Sequence, residues 1–206
     1  GRGHIKESIP CQDKTHYIID EGVIITALAD GAGSAKLSHI GAEGITRYIC
    51  EDLAENFDLY FENENGVEVK TLLDDKIKSS IEALAKKAEC DPKDLASTLL
   101  VAAVKNEHYI LIHIGDGVIG YSKNGVMKVA SQPENGEFVN TTIFTTSNEA
   151  LLTMRLMKGS LGSIDSFVLM SDGTEASLYN KREKSLAGAL VKIVKLMSYL
   201  PTEKIK

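Results

Sequence analysis

Tyr17-Ile-Ile-Asp20, Glu21-Gly22, Val23-Ile-Ile-Thr-Ala-Leu-Ala29, Asp30-Gly31 is the stretch on which the fold turns. Two apolar runs flank a Glu-Gly pair, which predicts a β-hairpin and a sheet that begins antiparallel. The second run ends on a carboxylate. A carboxylate at the end of an interior strand is costly to bury unless a cation or hydrogen-bond donors meet it, and the glycine after it lets backbone approach whatever is bound.

The same ending recurs late in the chain, where Ser166-Phe-Val-Leu-Met-Ser171 runs into Asp172-Gly173. A third copy, Tyr109-Ile-Leu-Ile-His-Ile114, Gly115-Asp116-Gly117, Val118-Ile-Gly-Tyr121, sets strand against strand. Asp-Gly is the commonest two-residue hairpin turn, so Asp116 reads as turn chemistry. Asp30 and Asp172 differ from it because each leads into a loop-to-helix passage. Two such strand ends, far apart in sequence, suggest one shared metal site.

Working outward, a short N-terminal strand is expected ahead of the hairpin. From about Ser38 to Phe57 the residues Ile45, Ile49, Leu53 and Phe57 follow helical spacing, and from about Val69 to Ala88 so do Leu73, Ile77, Ile81, Leu84 and Ala88. Glu62-Asn-Glu-Asn-Gly66 is the polar connector between the two helices. Ser97 to Val104, Tyr109 to Ile114, Val118 to Tyr121 and Val126 to Ala130, the last two joined at Asn124-Gly125, read as an antiparallel meander. A strand is expected near Phe138 to Thr145 and a short helix near Asn148 to Met157. A last amphipathic helix, carrying Leu186, Leu190, Ile193, Val194, Met197 and Leu200, ends before Pro201. Hairpin-linked strands with a long helix pair inserted favour an α+β layered sandwich over a doubly wound α/β fold. No internal repeat or second domain is visible, so residues 1–206 read as a single domain.

The 206 residues, 43% hydrophobic, are enough for a substantial core, and the net charge of −6 with dispersed Lys and Arg argues against a nucleic-acid surface. No apolar run reaches the roughly 18 residues of a membrane span, so no membrane partner is expected. Cys11, Cys50 and Cys90 are an odd set without CxxC spacing, which indicates neither a disulfide framework nor a structural zinc site and points to a cytoplasmic setting. The histidines form no metalloprotease constellation. His108 and His113, an odd number apart on one strand, should point to opposite faces. Gly31-Ala-Gly33-Ser34-Ala-Lys36 superficially suggests a dinucleotide loop, but Lys36 stands at the third glycine, no GK[ST] ending follows and the flanking strands are hairpin-linked.

Five short pieces, in order over nearly the whole chain, carry a resemblance: Cys11-Gln-Asp-Lys14, Ala29-Asp-Gly-Ala-Gly-Ser34, Ala96-Ser-Thr-Leu99, Ile114-Gly-Asp-Gly117 and Leu169-Met-Ser-Asp-Gly173. This order resembles the metal-dependent protein phosphatases of the 2C family, in a short bacterial-type form. The resemblance implies a four-layer αββα sandwich of two antiparallel sheets flanked by helices, with divalent metals at one edge. It implies two Mn²⁺ or Mg²⁺ ions and a weaker third. Asp30 would bridge the pair, the Gly31 carbonyl would sit on one ion and Asp172 on the other, Asp13 would hold metal-bound water, and Asp91 would serve the third. Such hard oxygen ligands suit Mg²⁺ or Mn²⁺. The implied reaction is hydrolysis of phosphoserine or phosphothreonine in proteins by a metal-activated water, with Asp13, Asp30 and Asp172 as the catalytic set and a phosphorylated protein as partner.

Departures from the family pattern are also visible. Gln12 stands where many members have Glu. Ser8 occupies the position of a phosphate-holding Arg, leaving Arg2, His4 or Lys6 as substitutes. Ala32 replaces a histidine, and no Asp follows Asp172, where the family has a further metal ligand on a last strand. That strand is expected to lie beyond Lys206. The alternative reading is a non-catalytic regulatory or binding domain with the same fold; a nucleotide-binding module would rest on the Gly-Ala-Gly loop alone.

Overall fold

A computed structural model describes residues 10–20, 22–132 and 142–199. In chain order the elements are β1 (Lys14–Asp20), β2 (Val23–Ala29), α1 (Ser38–Glu62), α2 (Gly66–Ala88), a 3-10 turn (Pro92–Leu95), β3 (Leu99–Lys105), β4 (His108–Ile114), β5 (Val118–Lys123), β6 (Val126–Ser131), α3 (Ala150–Thr153), β7 (Arg155–Ser160), β8 (Ile164–Met170), α4 (Asp172–Leu178), the two-residue strands β9 (Tyr179–Asn180) and β10 (Ser185–Leu186), and α5 (Ala189–Met197). The strands form an antiparallel five-stranded sheet in the order β1-β2-β3-β4-β7, a three-stranded sheet in the order β6-β5-β8, and a small β9-β10 pair.

Period-two alternation on the strands feeds three separate cores. On β2 and β3, Ile25, Ala27, Ala29, Leu99, Val101 and Ala103 face α1 and α2, where Ile45, Ile49, Leu53, Leu73 and Ile77 meet them. The intervening residues Leu28, Leu100 and Ala102 turn the other way and join Leu111, Ile119, Phe167 and Leu169 between the sheets. Val118, Val168 and Met170 lie on the outer face of the second sheet and pack with Tyr179 and Leu190. These three cores separate four layers, helix, sheet, sheet and helix, so the α+β sandwich expected from the hairpin is the observed one.

The sheets are unequal. Among the described residues β8 packs against β2 and β3, and no strand of the second sheet packs comparably on β1. Tyr17, Ile19 and Ile24 are more than half exposed, with Ile19 and Ile24 directly paired across strands.

Helix α1 bends at Asn56, whose φ of −117° is not helical and whose side-chain amide donates to the Asp52 backbone carbonyl at 3.1 Å. The buried Asp52 carboxylate accepts from Tyr60 Oη at 2.5 Å and from Lys76 Nζ at 2.6 Å, tying the bent helix to α2. Lys158 of β7 donates to the carbonyls of Tyr60, Phe61 and Asn63, closing the end of α1. No helix among the described residues is long and apolar enough to cross a membrane.

Several expectations are corrected. The meander breaks at Gly115-Asp116-Gly117, which is no hairpin turn: β4 pairs with β7, while β5 starts the second sheet. Gly115 has φ +110°, and a Cβ there would lie 2.6 Å from Thr98 Cγ2. The chain therefore crosses between sheets through space only glycine leaves open. The helix expected over Asn148 to Met157 is the single turn α3, and Arg155-Leu-Met-Lys-Gly-Ser160 is the edge strand β7. Its Leu and Met residues favour helix in isolation, and pairing with β4 overrides them. Of the strand expected near Phe138 to Thr145, residues 138–141 lie outside the described residues and 142–145 are not in a strand. The expected N-terminal strand is also outside, apart from β1 itself. Ser97 precedes β3 and makes only an isolated bridge to Gly31. By contrast, Asn124 and Gly125 both have positive φ, 54° and 74°, as a tight hairpin requires.

Candidate active site

One register row crosses the large sheet: Leu28 pairs with Leu100, Leu100 with His113, and His113 with Arg155. Just past that row the strands give way to loops, and the two Asp-Gly strand ends lie at this end of the sandwich. Asp30 continues the pairing of β2 with β3. Its N–H donates to Thr98 Oγ1 at 3.0 Å, and the Thr98 N–H donates to the Asp30 carbonyl at 2.9 Å. Gly31 bridges Ser97, and the Ala32 N–H donates to the Ala96 carbonyl at 2.9 Å.

The segment carrying Asp13 is tied to the same loop. The Gly31 N–H donates to the Gln12 carbonyl at 3.2 Å, and the Gln12 side-chain amide donates to Ser38 Oγ at 2.8 Å. A Cβ on Gly31 would stand 2.9 Å from Ser38 Oγ, so glycine is what allows the loop to turn against the start of α1. Gln12 thus spends its amide as a donor to the start of α1.

Asp172 opens α4, directly after β8, and its neighbour Thr174 closes the turn by donating from both N–H and Oγ1 to the Ser171 carbonyl, at 3.1 Å each. The Asp30 carboxyl is half-buried and pushed up to about 8, by burial first, then by the Asp13 carboxylate, then by contact with Asp172. Asp13 and Asp172, expected from sequence to share a site with Asp30, thus both act on the Asp30 carboxyl. Among the described residues no ion pair supplies a cation to any of the three.

This donor set fits a hard divalent cation in kind, since burial and two neighbouring carboxylates oppose the ionisation of Asp30, a penalty that a Mg²⁺ or Mn²⁺ ion would offset. It does not form a closed cage: among the described residues no group of three or more His, Cys, Asp or Glu side chains is arranged to hold an ion by itself. Water would complete the shell, as Mg²⁺ prefers.

Asp91 is not among the groups acting on Asp30. Its Oδ1 accepts from the Lys93 N–H at 2.9 Å and caps the 3-10 turn. Asp116 sits in the crossing between the sheets, accepting from Thr142 Oγ1 at 2.7 Å. Arg2, His4 and Lys6, as well as Ser8, lie outside the described residues. The residue that sequence reasoning passed over is Thr98, quoted within a motif but given no role. Its signal was position: a Ser-Thr pair immediately before a strand, facing the Asp-Gly end of the neighbouring strand.

Beneath the site His113 is fully buried, on the inter-sheet face opposite the one that His108 presents to Phe61. Burial and the Arg155 guanidinium beside it push the imidazole down to about 3, so it is neutral. With Nε2–H donating to the Gly115 carbonyl at 2.9 Å, Nδ1 accepts from Ser131 Oγ at 2.7 Å. The histidine pins the crossing that abuts Thr98.

No curated protein matches the sequence. The fold is similar to that of a serine/threonine phosphatase from S. agalactiae, with a TM-score of 0.61 and 16% identity over 88% of this chain and 80% of that one. It is also similar to serine/threonine phosphatase Stp1 from Staphylococcus aureus, with a TM-score of 0.58 and 16% identity over 92% and 85%. RsbX in complex with magnesium matches at a TM-score of 0.53 and 14% identity, over 92% of this chain and 81% of that one. At such identities the likeness shows the fold. The family model described as Protein phosphatase 2C matches residues 1–203, and on that match the chain belongs to the protein phosphatase 2C family.

Proposed function

We propose that this chain, as a single 2C-type domain, hydrolyses phosphoserine or phosphothreonine in proteins in a Mn²⁺- or Mg²⁺-dependent reaction. The observation that supports this best is the convergence of Asp13, Asp30 and Asp172, drawn from three distant segments onto one loop end. When bound, the metals would supply an activated water for in-line attack and would neutralise charge on the phosphoryl oxygens.

The chain's own residues prepare that site. Asp30 holds the centre, its backbone fixed by Thr98, and the Gly31 carbonyl lies beside it for use as a further oxygen ligand. Asp172 closes one side from α4, and exposed Asp13 the other, where it orients water. Asp91, exposed and outside this group, is left for a weaker third ion. The phosphate dianion would be screened from these carboxylates by the cations, since no Lys or Arg of the described residues pairs with them. Arg2, His4 and Lys6 are the basic residues proposed to meet it. A cytoplasmic setting accords with the three unpatterned cysteines.

The deciding experiment is turnover of p-nitrophenyl phosphate and of a phosphothreonine peptide, with and without Mn²⁺. The reading expects turnover with metal and none after chelation. Stable folding and metal binding with no turnover would favour a non-catalytic 2C-like domain instead.

A further inference from the structure

The loop that leads from Asp30 into α1 is closed at its base. Gln12 spans its two ends, its side-chain amide lying 3.5 Å from the Ala32 carbonyl and donating to Ser38 Oγ at 2.8 Å. Within the loop the Ala35 N–H donates back to the Ala32 carbonyl at 3.0 Å, and the Leu37 N–H reaches the Asp94 carbonyl at 2.9 Å. Leu37 packs on the helix-side core and Ser38 is buried, whereas Lys36, between Ala35 and Leu37, is exposed. An anchored backbone thus carries a free cationic side chain.

Lys36 enters no ion pair and no hydrogen bond among the described residues. Lys14, the basic residue next to Asp13, is by contrast 3.9 Å from Glu43 Oε2. Reach follows from the loop closure. A Cβ on Gly31 would lie 2.9 Å from Ser38 Cβ, so the residue after Asp30 touches Ser38. Lys36 is two residues ahead of Ser38, at most about 7 Å of backbone, and its four-carbon stem extends about 6 Å from there. The ammonium can therefore reach a phosphoryl group held over Asp30.

We propose that Lys36 binds the phosphoryl group of the substrate, its ammonium donating to a phosphoryl oxygen from the α1 side of the site. The substrate rests on the phosphatase reading above. A phosphate ester approaches as a dianion, and an ammonium meets it as a point charge without the fixed fork an Arg would need. Lys36 cannot ligate a metal, so its charge favours the anion and opposes the cation. That sign distinguishes it from a residue that merely shapes the loop, whose loss would weaken both. Lys36 acts in this way whatever the segment ahead of Gln12 contributes.

The test is a calorimetric titration of inorganic phosphate into the full chain in saturating Mg²⁺, for the parent, K36M and K36R. K36M keeps the stem and removes the charge, and should weaken phosphate binding about tenfold, the scale of one hydrogen bond to a charged group, while K36R should retain most of the affinity. Mg²⁺ titrated without phosphate should bind K36M as tightly as the parent or more tightly, because a neighbouring positive charge is gone. With Mn²⁺ and a phosphothreonine peptide, K36M should raise KM by a similar factor. Unchanged phosphate affinity in K36M, no phosphate binding by the parent, or a parallel loss of Mg²⁺ and phosphate affinity overturns the proposal. If phosphate binding depends on Lys36 as expected while neither p-nitrophenyl phosphate nor the peptide is hydrolysed, the phosphatase reading fails and the phosphate contact stands.

Discussion

Thr98 grips both backbone groups of Asp30, its hydroxyl accepting from the Asp30 N–H at 3.0 Å and its own N–H donating to the Asp30 carbonyl at 2.9 Å. Its methyl group meanwhile fills the space against Gly115. One buried side chain thus joins the acidic loop to the crossing between the sheets.

Thr98→Val should keep the methyl packing but strip the acceptor from the Asp30 N–H, a loss of about 1–3 kcal/mol if the group stays buried. Mn²⁺ affinity measured by calorimetry should fall with it, and Thr98→Ser should retain most of the affinity. Equal affinities in Thr98→Val and the parent would show that the clamp does not position Asp30.

Asp30→Asn removes charge from the centre of the acidic group and should abolish metal-dependent turnover. Asp116→Asn should leave turnover nearly intact, because an amide oxygen can still accept from Thr142 Oγ1. Loss of activity to the same extent in both folded variants would contradict the distinction between site and crossing.

His113 is neutral when folded, with its imidazole held near 3, while in the unfolded chain it titrates near 6.5. Between these values the unfolded chain binds the extra proton. The stability it contributes is therefore complete above about pH 6.5 and declines as pH falls toward 3, by up to about 1.4 kcal/mol per pH unit. Urea unfolding at a series of pH values should show this slope, and His113→Gln should flatten it despite a lower starting stability. An unchanged slope would mean that other groups govern the acid limb.

Gly115→Ala places a methyl 2.6 Å from Thr98 Cγ2 at a φ of +110°, combining steric overlap with backbone strain. A loss of roughly 2–4 kcal/mol is expected by chemical denaturation. Wild-type stability in this variant would show that the crossing yields more easily than its geometry implies.

The layered fold was legible because hydrophobic period and turn chemistry agree through the first hairpin, both long helices and the Asn124-Gly125 turn. Legibility failed where a local pattern had two uses. Gly115-Asp116-Gly117 has a hairpin's composition but connects different sheets, a choice made by β7 claiming the edge of β4. β7 itself carries residues that favour helix, so only its long-range partner reveals it. Asp30 and Asp172 stood out through the strand ends they occupy, and Asp13 only through the family resemblance. The donor role of Gln12 and the grip of Thr98 were not legible, because both depend on which backbone groups the loops bring near.

Five strands against three place the two halves of the acidic site on scaffolds of different depth. Asp30 follows β2, which is paired on both sides, whereas Asp172 follows β8, which among the described residues pairs only with β5. In hydrogen exchange the β8 amides bonded to β5 should therefore exchange through small openings that leave β2 closed. An ion shared between Asp30 and Asp172 would then depart through the opening of the Asp172 half, so that its residence time, unlike its affinity, would be set by how often one sheet edge frays.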